Sequence, residues 1–152
     1  MLMDYSQRVT RRPERWNGGP FQEKWNTISN LPFIVIGLCR LKQWEDDEDM
    51  MMLYYFYLMA GVCSGIHHAL SFRGSLILDW IPILFSIGLW VYYELWSYIS
   101  WGTWVQVALA LAILLTDHLV QLVPVPWGHV MWHIAAAQSI DSAYQDFAYH
   151  MH

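Results

Sequence analysis

Five apolar stretches, each close to the length of a bilayer crossing, leave this chain few folds to choose from. They run over residues 23–41, 51–70, 75–96, 104–120 and 127–147, separated by short links. An apolar run of about 20 residues reads as a membrane helix rather than a strand. The predicted fold is therefore all-α: a polytopic transmembrane helical bundle of about five spans over residues 23–152, behind a polar N-terminal arm of residues 1–22. Hydrophobic residues make up 56% of the chain and charged residues 14%. Soluble domains are nearer ~25% charged. Ten Trp and nine Tyr add side chains that favour the membrane–water interface. A net charge of −5 without basic clusters argues against nucleic-acid binding. Cys39 and Cys63 lie inside apolar runs and are expected to be buried free thiols, not a disulfide framework. The arm carries Arg8, Arg11, Arg12 and Arg15 and has no apolar core, so it does not read as a secretory signal.

Successive spans alternate direction. The starts of the first, third and fifth therefore share a side with the ends of the second and fourth. On that side fall Glu23, Asn26, Ser64, His68, Asp79, Asp117, His118, His129 and His133. Ionisable groups at membrane depth are costly and usually functional. Six of the eight basic residues (Arg8, Arg11, Arg12, Arg15, Lys24, Arg73) also lie there, and Arg40 and Lys42 lie opposite. The positive-inside rule then turns the N-terminus and this side toward the cytoplasm. The acid run Glu45-Asp46-Asp47-Glu48-Asp49 is expected to be a solvated loop.

His129-x-x-x-His133 places two imidazoles on one helix face, one turn apart. Ser64-x-x-x-His68 repeats the spacing, and Asp79 follows eleven residues later. A catalytic zinc takes three protein ligands and keeps one position open. His68, His129 and His133 would supply the three. Asp79 could accept a proton from water, and Ser64 could hydrogen-bond the water or a developing oxyanion. No H-E-x-x-H occurs, so a soluble metalloprotease is not indicated. The expected function is that of a zinc-dependent membrane hydrolase acting on a lipid. Two other classes stay open: a non-catalytic lipid-binding or receptor-like protein with a structural metal, and a haem-binding membrane electron carrier.

The chain resembles the alkaline ceramidase family, within the superfamily that includes the adiponectin and progestin receptors. The resemblance rests on Asn26-Thr27-Ile28-Ser29-Asn30, Ser64-x-x-x-His68, Asp79-x-x-Pro82 and His129-x-x-Trp132-His133, in that order. It implies a membrane-embedded zinc amidase that splits a ceramide-like lipid substrate into sphingoid base and fatty acid. It implies zinc on His68, His129 and His133, Asp79 handling the water, and Ser64 assisting at the oxyanion. Family members have seven spans, against five here. The family's acidic calcium motif is echoed by Glu14, Asn17 and Glu23, which implies possible calcium binding. His67 occupies a position where the family has an aromatic, which leaves it as an alternative ligand to His68.

Overall fold

The computed structural model describes residues 23–70, 75–119 and 128–152. Among them all regular structure is helical, as expected. In chain order the elements are α1 (Lys24–Ile28), α2 (Leu31–Gln43), α3 (Glu48–Leu70), α4 (Ser75–Tyr92), a 3-10 turn (Leu95–Ser97), α5 (Trp101–Leu119) and α6 (Gly128–Met151). Among the described helices, α3 alone is both long and apolar enough to cross a membrane by length and composition. Shorter apolar stretches lie in α4 (Ile77–Tyr92) and α5 (Trp101–Thr116). The N-terminal arm, Arg73, and the side chains of Asp117 and His118 lie outside the described residues.

The first apolar stretch is not one helix. It breaks at Ser29 and Asn30 between α1 and α2. Pro32 follows in the first turn of α2, where its missing N–H costs nothing and its fixed φ favours a helix start. The break turns Ser29 and Asn30 inward, where both are buried. The 13 residues of α2 span roughly 20 Å, short of a ~30 Å hydrocarbon core.

The acid run departs from the expected loop as well. Helix α3 starts inside it, with Asp47 as the cap: its Oδ1 accepts the Met50 N–H at 2.9 Å. Glu48 and Asp49 then sit in the first turn, where the helix dipole favours negative charge. Asp49 also accepts the Tyr93 hydroxyl at 2.6 Å, tying this end of α3 to the end of α4. The Met50 N–H, aided by His152, holds the Asp47 carboxyl below the usual aspartate range. A carboxylate whose folded pKa is depressed stabilises fully above its unfolded value and loses that contribution as pH falls through the folded one. Asp47→Ala should therefore lower stability by about 1 kcal/mol at neutral pH. The deficit should shrink below about pH 4. Thermal melts of both proteins from pH 7 to 3 check this; a constant deficit would remove the capping role.

The core lies between α3 and α6. Tyr54, Tyr57 and Tyr144 are almost fully buried there with Leu53, Met50 and Ala137. The Tyr54 and Tyr144 rings meet edge-to-face at 5.3 Å between centroids. Helices α2 and α3 approach closely at glycines. A Cβ on Gly37 would lie 2.9 Å from Leu58 Cβ, and one on Gly61 would collide with Phe33. One half-buried ion pair joins α2 to α6 beside the core. Arg40 Nε and Nη2 donate to Asp141 Oδ1 and Oδ2 at 3.0 and 3.1 Å, and the Tyr54 hydroxyl donates to Oδ1 at 2.7 Å. This pair is an exception to the expected one-sided placement of ionisable groups. It sits eight residues beyond His133 on α6, roughly 12 Å along the axis.

Helix α4 packs on α3, and α5 packs on α6. Between α3, α4 and α6 lies a cavity of about 250 Å³. Its lining is mostly apolar, with Phe33, Ile83, Ile87, Ala136 and Ile140 among the contributors. Both cysteines are free, as expected, but neither is buried: Cys39 is exposed on α2 and Cys63 is half-buried on α3.

Candidate metal centre

Three elements end at the same place. His68 lies in the last turn of α3, His129 and His133 in the first two turns of α6, and Glu23 and α1 lie beneath them. One ligand nitrogen from each of His68, His129 and His133 falls within 4.8 Å of the other two. The Nε2 atoms of His68 and His129 are 3.3 Å apart. Tetrahedral zinc with Zn–N near 2.0–2.1 Å separates ligand nitrogens by about 3.3 Å, so this pair matches one edge of such a site.

The outer partners fix which nitrogen faces inward. Glu23 Oε2 lies 2.7 Å from His68 Nδ1, and the Asn26 amide donates to the same oxygen at 2.9 Å. A carboxylate oxygen accepts only, so the His68 proton belongs on Nδ1 and the lone pair on Nε2. At His133, Ser29 Oγ lies 2.7 Å from Nδ1. The Ser29 hydroxyl donates its own proton to the Asn26 carbonyl at 2.9 Å. Oγ then accepts from Nδ1 in this much shorter contact, which leaves the lone pair on Nε2; the Asn30 Nδ2 also lies 3.4 Å from Nδ1 but makes its short bond to the Asn26 carbonyl at 2.8 Å. Metal-bound histidines characteristically donate their other N–H to such an acceptor, which orients the ring and raises its basicity. The donor set therefore fits a metal ion that takes imidazole nitrogen, such as zinc, copper, iron or nickel.

His67 goes elsewhere. Its Nδ1 lies 2.8 Å from Ser75 Oγ at the start of α4, and both residues are buried. His68, not His67, converges with the α6 pair. Ser64 and Asp79 line the cavity together with His133 and Asn30. Asp79 is half-buried and sits in the second turn of α4, so it is not the cap of that helix. Of the residues expected to hold calcium, Glu14 and Asn17 lie outside the described residues. Glu23 is 2% exposed and is placed against His68.

The inward roles of Ser29 and Asn30 and the partnership of Glu23 with His68 are not visible in any local pattern. The one available signal was the run of short polar residues Asn26, Thr27, Ser29 and Asn30 beside a proline, which marks a break where polar side chains can turn inward. Comparison with protein-family models, curated proteins and solved structures finds no match to this chain.

Proposed function

We propose that the chain is a multi-pass membrane enzyme, similar to the alkaline ceramidases, that hydrolyses linear lipid amides of the ceramide type at a zinc centre. The observation that carries this reading is the convergence of His68, His129 and His133, the last of which also lines an apolar cavity with Ser64 and Asp79. The membrane setting is supported by the outward face of α4 and α5. Ile77, Leu84 and Leu115 there are 63%, 59% and 60% exposed, an apolar surface that water does not favour.

A zinc ion on the three histidines would supply Lewis acidity and lower the pKa of water. Glu23 and Ser29 hold the imidazole rings with their lone pairs turned inward. The carboxylate of Asp79 takes the proton from the attacking water and delivers it to the leaving amine nitrogen. Ser64 donates a hydrogen bond to the oxyanion that develops on the scissile carbonyl. The amide C–N bond breaks, water is consumed, and fatty acid and amine leave. Ile83, Ile87, Ala136 and Ile140 provide an apolar wall for the acyl chain.

Detergent-purified full-length protein should contain one zinc per chain and release the amine from a fluorescent ceramide. Absence of metal would overturn the reading. Zinc without turnover would assign the protein to the non-catalytic lipid-binding class, and a strong visible absorbance would assign it to the haem carriers.

A further inference from the structure

Asn30 holds a buried hydrogen-bond acceptor that the described protein leaves unsatisfied. The residue occupies the N-cap of α2, where an asparagine oxygen ordinarily accepts the N–H of the second or third helical residue. The second residue here is Pro32, which has no N–H, and the Asn30 side chain makes no capping bond. Its Nδ2 donates to the Asn26 carbonyl at 2.8 Å. Flipping the amide would point Oδ1 at that carbonyl and forfeit the bond, so the orientation is set. Oδ1 is left buried and without a partner in a residue only 1% exposed. Such an acceptor costs free energy unless a donor is brought to it.

Asn30 lines the cavity beside Ser64, Asp79 and His133. Serine hydroxyls can donate or accept, and histidine changes role with its tautomer, but an asparagine oxygen can only accept. We infer that Asn30 Oδ1 accepts the N–H of the scissile amide and selects secondary amides over esters and N-alkylated amides. This inference rests on the reading of the centre as a lipid amide hydrolase. An amide N–H adjoins the scissile carbonyl carbon, so a carbonyl placed near His133 and Ser64 brings that N–H to the same wall. An ester places a lone pair there instead, and an N-methyl amide places a methyl group. Both leave Oδ1 buried and unsatisfied, which is how a polar site rejects an analogue lacking the matching donor.

The test uses metal-depleted full-length protein in detergent, which binds without turnover. Three lipids of equal chain length are compared: a secondary amide, its N-methyl derivative and the matching ester. Binding is read from the fluorescence of Trp90 and Trp132, both in the cavity wall. Wild type should bind the amide tighter than the other two by roughly tenfold to a hundredfold. In Asn30→Leu that preference should disappear, through weaker amide binding alone. Equal affinity of wild type for all three lipids would overturn the inference, and Oδ1 would then be served by a buried water. The comparison of lipids on wild type needs no variant, so misfolding of Asn30→Leu cannot shield the inference. Zinc-loaded wild type separates the two readings. Preferential amide binding without amine release would refute the hydrolase while sustaining the Asn30 contact. Equal turnover and equal binding of amide and ester would refute the contact while sustaining the hydrolase.

Discussion

Asp79→Asn should retain full zinc content and the wild-type melting temperature while turnover falls by about a hundredfold to ten-thousandfold, the usual effect of losing a positioned general base. Asparagine keeps the size of the side chain but cannot take a proton at neutral pH. The three imidazoles are untouched, so metal retention is expected. Asp79 shares the cavity wall with Ser64 and His133, where an attacking water and a scissile carbonyl would meet. A purely structural role as a helix cap is removed by its place in the second turn of α4. Ser64→Ala should be milder, since it removes one hydrogen bond to the oxyanion. Zinc content, thermal melts and hydrolysis of a fluorescent ceramide on the same preparations decide the matter. Near-normal turnover per bound zinc would end the assignment.

His133→Ala and Glu23→Ala should separate ligand from support. The first deletes one of three nitrogens, and the purified protein should lose most of its zinc together with all activity. The second leaves the nitrogens in place but takes away the acceptor at His68 Nδ1. Loss of an outer partner of this kind typically weakens metal binding by about tenfold to a hundredfold. Glu23→Ala should therefore yield zinc more readily to a chelator, and saturating zinc should restore most of the turnover. If Glu23 serves calcium instead, zinc affinity will be unchanged and added calcium will lose its effect. Chelator competition at fixed pH distinguishes these outcomes.

The histidine triad was legible because helical periodicity is local. The four-residue spacing of His129 and His133 already dictates a shared face, and the same spacing from Ser64 chooses His68 over His67. All-α architecture was legible from the apolar runs for the same reason. Contacts across the fold were not. Ser29 meets His133 across 104 residues, and Arg40 meets Asp141 across 101, so neither pairing leaves a periodic trace. Glu23 read as one member of an acidic motif because its own neighbourhood is all that a sequence displays. Its burial against His68 depends on the break at Ser29 and Asn30, which folds α1 beneath the end of α3. Taking residues 23–41 as one span hid that break, because the polar stretch from Glu23 to Asn30 was joined to the apolar run that begins at Leu31.

In the membrane setting proposed above, the ion pair of Asp141 with Arg40 would order how the chain matures. A carboxylate carried alone to the centre of a bilayer costs about 2.5–3.5 kcal/mol on insertion scales. Asp141 finds its counter-charge on α2 and its hydroxyl donor on α3, both earlier in the chain. Helix α6 would then be admitted only against α2 and α3 already seated. His129 and His133 ride on that same helix, so the three-histidine cluster would be completed only when α6 docks.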